Sequence, residues 1–161
     1  MNKVIFLDID GVVNSAFSKA RCQGFIGIDG PKVALLKQII DATDAKIVLT
    51  STWKIDYEKY MSDGFHYKVG KYLREKLREH NLEIYDTTTR YETNLAHRGE
   101  GIYNYVKENK VDNFVILDDD IFNDFEEYNL MPHLVKSEWS GTNHTGGLNE
   151  DLVREAIEKL K

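Results

Sequence analysis

The sequence predicts an α/β fold, a three-layer sandwich in which helices cover both faces of a mainly parallel sheet. Two patterns predict it. Short apolar runs bounded by turn residues alternate with stretches whose apolar residues recur every three or four positions, as parallel crossover units require. The first apolar run, Val4-Ile5-Phe6-Leu7, stops abruptly at Asp8-Ile9-Asp10-Gly11. Ligands of open α/β sheets bind beyond the carboxyl ends of the strands, so two acids at such an end are candidates for the floor of a site. The alternative is a strand that simply exits into solvent. The chain of 161 residues fits one domain over 1–161 and leaves room for small insertions at 11–30 and 54–66.

The elements follow in order. Lys3 to Ile9 reads as the first strand, and 11–30 as an irregular loop or hairpin. Asp29-Gly30-Pro31 marks a helix entry with proline in the first turn. Val33, Leu36, Ile39 and Ile40 give that helix a face to pack on the sheet. Lys46 to Leu49 is a second short strand, running into Thr50-Ser51-Thr52-Trp53. Residues 54–66 are polar and aromatic, suited to a small insertion over the site. Val69, Tyr72, Leu73 and Leu77 mark a helix ending near His80-Asn81. Leu82 to Tyr85 reads as the third strand, and a helix opens near Arg98-Gly99-Glu100. Phe114 to Leu117 is the fourth strand, running into Asp118-Asp119-Asp120, and His133 to Lys136 a fifth. Asn149 is a good N-cap for the last helix, with Glu150 and Asp151 in its first turn.

Three strands thus finish in chemistry: Asp8 and Asp10, then Thr50 and Ser51, then Asp118 to Asp120. In a parallel sheet these ends share one edge. Two carboxylates ~4 Å apart repel by about 4 kcal/mol at an effective dielectric of ~20. A cation turns that cost into a gain, and all-oxygen ligands select a hard ion such as Mg²⁺. No cysteine or histidine cluster argues for zinc. Hydroxyls, a metal and Arg98 together suit a phosphate group. Phosphate monoesters hydrolyse so slowly that binding alone does not suffice. A carboxylate nucleophile divides the barrier, and a second acid can protonate the leaving oxygen.

In this order the motifs resemble those of the haloacid dehalogenase (HAD) superfamily of phosphatases. Asp8-Ile9-Asp10-Gly11-Val12-Val13 is similar to its first motif, Leu49-Thr50-Ser51 to its second, Arg98 to its basic third and Leu117-Asp118-Asp119 to its acidic fourth. The resemblance implies a Rossmann-like fold and Mg²⁺-dependent phosphomonoester hydrolysis through an aspartyl-phosphate. It implies Asp8 as nucleophile and Asp10 as general acid/base. Thr50, with Ser51 as partner, and Arg98 would bind phosphate. Asp8, the carbonyl of Asp10, Asp118 and Asp119 would hold the metal. Arg98 stands where lysine is common, and His97 competes with it for the role. The chain has no room for a large cap, which points to an open site or a cap lent by a partner. Asn14, Thr52-Trp53 and Gly147-Leu148 further resemble small phosphatase-like domains associated with RNA-repair proteins. Nucleotides, polynucleotide ends, phosphoproteins and small metabolites all remain as substrates. A non-hydrolytic phosphate or metal sensor acting through a partner is the alternative from another class.

The remaining residues carry less. Tyr57, Tyr60, Phe65 and Tyr67, interleaved with Lys54, Lys59 and Lys68, would line a substrate groove or form an ordinary amphipathic surface. Trp53 reads as a packing residue, and His144 as a loop residue within reach of substrate. His66, His80 and His133 show no partner pattern. A net charge of −6 argues against a protein that coats nucleic acid. The single Cys22 forms no internal disulfide, and no stretch could span a bilayer, so a cytoplasmic setting is expected.

Overall fold

The computed structural model describes residues 1–64, 66–141 and 146–161. In chain order the elements are β1 (Lys3–Leu7), a hairpin of β2 (Arg21–Cys22) and β3 (Phe25–Ile26), α1 (Gly30–Thr43), β4 (Lys46–Leu49), α2 (Trp53–Asp63), α3 (Lys68–Arg78), β5 (Ile84–Thr87), α4 (Arg98–Glu108), β6 (Asn113–Asp118), β7 (Leu134–Lys136) and α5 (Glu150–Lys159). The main sheet runs β5-β4-β1-β6-β7, and every neighbouring pair is parallel. The chain first builds outward from β1 through β4 to β5, then crosses to β6 on the other side. This reversal puts a crevice beyond the ends of β1 and β6.

Side-chain alternation divides β1 and β6 between two cores. Ile5, Leu7, Val115 and Leu117 face a layer containing Leu36 of α1, Leu73 of α3 and Ala156 of α5. Val4, Phe6, Phe114 and Ile116 face Ile102 and Tyr105 of α4, together with Phe125 and Leu130. The result is the α/β Rossmann-like arrangement expected. At one end His133 stacks on Phe114, with ring centroids 3.8 Å apart, and its Nδ1 lies 3.0 Å from the Phe114 carbonyl. That gives this histidine a packing role.

Several boundaries differ from the sequence expectation for physical reasons. β1 stops at Leu7 because the chain turns at once: the N–H groups of Val12 and Val13 both donate to Ile9 O at 3.0 Å. The third strand of the main sheet begins at Ile84 instead of Leu82. Asn81, at φ 58°, closes α3, and Leu82 N–H donates back to Leu77 O at 3.1 Å. Leu82 is thereby committed to the helix end. Residues 54–66, expected as an insertion over the site, carry helix α2 as far as Asp63, packed along α3. The polar appearance of this stretch is deceptive. Tyr57 is buried in the core, and Lys54 is buried in an ion pair with Glu92 at 2.8 Å. Lys54 therefore does not face a substrate groove. Phe65 and His144 lie outside the described residues. Among the described residues, no helix is long and apolar enough to cross a membrane.

Candidate active site

Asp8 leaves the end of β1, and its N–H donates to Leu117 O of β6 at 2.9 Å. Asp118, the last residue of β6, is fully buried beside it. Carboxylate oxygens of Asp8, Asp118 and Asp119 all lie within 4.8 Å of one another. Gly11 makes room for the third of these acids. It sits at φ +84°, and a Cβ there would meet Asp119 Oδ2 at 2.2 Å. Only glycine both adopts that backbone and lets the carboxylate close in.

Arg98 supplies the counter-charge from the first residue of α4. Its Nη1 lies 2.7 Å from Asp118 Oδ2 and 3.2 Å from Asp8 Oδ1, and its guanidinium lies over the Phe122 ring at 4.2 Å. One cation does not balance three acids. Burial first, then the charge of Asp118, holds the Asp8 carboxyl well above the usual carboxylate range, against the opposing pull of Arg98. Burial and Asp118 likewise raise Asp119. For Arg98, burial disfavours the charged form, but Asp8 and Asp118 outweigh it and the guanidinium is held more firmly protonated than usual. His97, the competing residue, is exposed. It meets Thr93 and Glu100, so the basic group of this crevice is Arg98.

Two residues hold this arrangement in place without belonging to any motif quoted above for the catalytic role. The Asp124 carboxylate accepts the N–H groups of Gly99 and Glu100, each at 2.9 Å, and so caps α4 from a distant loop. A Cβ at Gly99 would meet Asp124 Oδ1 at 2.5 Å. No local pattern reveals Asp124, because its partners lie on another element. Ser137 Oγ donates to the Gly11 carbonyl and pins the turn after β1. Asn14 was legible as part of an extended first motif, and its work is visible here. Its Oδ1 accepts from Gly11 N–H, while its Nδ2 donates to Asp10 Oδ1 and to Gly27 O, all at 2.9 Å. Leu148 N–H donates to Val12 O at 2.9 Å, so the Gly147-Leu148 pair also closes on this turn.

The crevice encloses about 400 Å³ and is lined by Asp8, Asp10, Ser51, Thr52, Arg98, Asp118, Asp119, Asp120, Phe122 and Trp139. Of the two strand-end hydroxyls, Ser51 lines it. Thr50 is wholly buried below, its Oγ1 has no hydrogen-bond partner among the described residues, and its carbonyl accepts from Lys54 Nζ at 2.9 Å. Asp10 is exposed at the crevice rim and stands apart from the three-acid cluster. Its Oδ2 accepts the indole N–H of Trp53 at 3.1 Å. Trp53 also packs against the core, as expected of it. Asp120 lines the rim, and its N–H donates to Asp118 Oδ1 at 3.0 Å.

Three converging carboxylates with no nitrogen or sulfur ligand form a donor set for a hard divalent cation. Burial and, after it, their mutual repulsion raise Asp8 and Asp119, and such an ion relieves that repulsion. Comparison with curated proteins and with solved structures gave no match. The model of one protein family, the HAD domain in Swiss Army Knife RNA repair proteins, matches residues 4–153. The matched span runs from the first strand into the last helix and so takes in every acid of the crevice, Arg98, Ser51 and the Asp124 cap. This chain therefore belongs to that family of HAD domains.

Proposed function

We propose that the domain is a Mg²⁺-dependent phosphomonoester hydrolase that works through an aspartyl-phosphate on Asp8. The observation carrying this reading is the three-acid cluster at the ends of two adjacent strands, in direct contact with Arg98. Asp8, Asp118, Asp119 and the carbonyl of Asp10 would hold the ion, which supplies charge neutralisation to the phosphate oxygens. Arg98 adds a second positive charge, and the Ser51 hydroxyl and nearby backbone N–H groups orient the phosphate. Asp8 attacks phosphorus: the carboxylate O–P bond forms as the P–O bond to the alcohol breaks. Asp10, in its protonated form, gives its proton to the departing alcohol oxygen. It then takes a proton from the water that attacks the phosphorus of the acyl phosphate, which restores Asp8 and frees inorganic phosphate. Asn14 and Trp53 hold the Asp10 carboxyl in place for both transfers. The family's occurrence in RNA repair proteins supports nucleotides or polynucleotide ends as the first substrates to try.

Phosphate release from an aryl phosphate tests the reading. Activity should appear with Mg²⁺, vanish with EDTA, and fall by about 10⁴-fold or more in Asp8→Asn. Turnover that survives Asp8→Asn sinks the nucleophile assignment.

A further inference from the structure

A second hollow, of about 480 Å³, opens beside the acid crevice and shares Asp10, Thr52 and Trp139 with it. It differs in character. Both tryptophans of the chain, Trp53 and Trp139, line it, together with Phe25, Ile26, Val69 and Cys22. Its charged lining residues are Asp10 and Asp56, and no lysine or arginine stands among the described residues that line it. Burial first, then the charge of Asp56, holds the Cys22 thiol in its neutral form.

Its outer wall is built deliberately. Phe25 sits on the β2–β3 hairpin, where Gln23 and Gly24 form a tight turn at φ 54° and 84°. The chain leaving the hairpin is tied down, because Ile28 N–H donates to Tyr72 Oη of α3 at 2.9 Å. Phe25 is nevertheless 74% exposed. A large ring held on an anchored hairpin at the mouth of a hollow, with none of the described residues covering it, is the arrangement of a binding wall. The hollow also begins where the P–O bond breaks, since Asp10 borders both spaces.

We propose that this hollow is the subsite for the leaving alcohol, and that it takes a planar, uncharged aromatic ring system carried by that alcohol. The assignment rests on the hydrolase reading above. Phosphate occupies the charged crevice, the ring lies among Phe25, Trp53 and Trp139, and the bridging oxygen sits between them at Asp10. Trp53 belongs to both halves: its ring lines the subsite while its N–H holds the general acid. Asp10 and Asp56 disfavour a further anionic group within the hollow, so a second phosphate on the substrate must point away from it.

Two readouts test this with the intact chain. Quenching of tryptophan fluorescence by a nucleoside and by a simple aryl alcohol, each with inorganic phosphate present, reports occupancy without turnover. Glycerol is the aliphatic control and should give no quenching. Steady-state kinetics then compare a nucleoside monophosphate, an aryl phosphate and glycerol phosphate in the wild type and in Phe25→Ala, whose exposed site spares the fold. Ring-bearing esters should lose about tenfold in kcat/KM, mainly through KM, while glycerol phosphate is unchanged. Equal losses for all three esters, or none, overturn the subsite. Which ring quenches at the lower concentration tells a nucleoside from a simple aryl group. Quenching by a ring alcohol that is lost in Phe25→Ala, in a protein with no turnover, keeps the aromatic-ring site but sinks the hydrolase and with it the leaving-alcohol role. Turnover of all three esters at equal kcat/KM does the reverse.

Discussion

On the β6 flank of the central strand, charge meets charge. Asp8, Asp118 and Asp119 crowd one another, Arg98 bridges two of them, and Asp124 fixes the helix that presents Arg98. On the β4 flank the surface is made of hydroxyls and rings, Ser51, Thr52 and Trp53, and a buried ion pair, Lys54 with Glu92, is hidden below. Asp10 stands where the flanks meet. The difference teaches that one strand end can serve two kinds of recognition when its neighbours carry opposite chemistry. On the proposed function, the anion would be handled on one side and the uncharged remainder of an ester on the other.

Variants can break or sharpen this division. The largest effect after Asp8→Asn belongs to Asp10→Asn at the boundary. It should cost about 10²–10⁴-fold with an alkyl phosphate and much less with nitrophenyl phosphate, whose leaving group needs no proton. Equal losses on both, read as a leaving-group series of kcat/KM, would deny Asp10 the acid role. Lys54→Met strands Glu92, already raised chiefly by burial and opposed by Lys54, and should cost about 3–5 kcal/mol by urea unfolding. A neutral result would show that the β4 flank does not depend on its hidden pair.

On the β6 flank, Mg²⁺ at 100 times its Kd should stabilise the fold by about 2.7 kcal/mol. The pH dependence has a definite sign. Asp8 and Asp119 titrate higher folded than unfolded, so above the ordinary value of 3.8 the folded state keeps protons that the unfolded state has released. In EDTA, stability therefore falls as pH rises through the raised range, and the gain from Mg²⁺ widens over the same interval. Thermal melts at about pH 5 and about pH 8, with and without Mg²⁺, read both trends. A gain that narrows with pH would contradict the shared-ion site. The smallest effect is Asp124→Ala, which removes the cap of α4 at about 1 kcal/mol. It should lower kcat/KM by a similar factor for every ester, because the proposed mechanism has Arg98 act on phosphate and not on the leaving group.

Much of this was legible from the chain. Acid runs at the ends of apolar segments located Asp8, Asp10, Asp118 and Asp119, and a basic residue at a helix entry located Arg98. Strand periodicity located the five strands of the sheet, missing only boundaries such as Leu82. What stayed hidden depends on contacts between distant elements. Thr50 and Ser51 are adjacent hydroxyls, and only the turn into α2 decides that Ser51 lines the crevice. Lys54 looked like a surface charge because its partner, Glu92, lies on a separate loop. The rings of a substrate groove were sought among Tyr57, Tyr60, Phe65 and Tyr67. Phe25, Trp53 and Trp139 supply them from three separate segments, which no local spacing reports.

The reach of Asp124 into the first turn of α4 has a consequence for how this protein can vary. The stretch that begins with two cluster acids at 118 and 119 also seats, a few residues later, the helix bearing their counter-ion. Lengthening or shortening the chain between them would shift cation and anions together. This short span is therefore where sequence drift should be least tolerated, and where an engineered graft should not be placed.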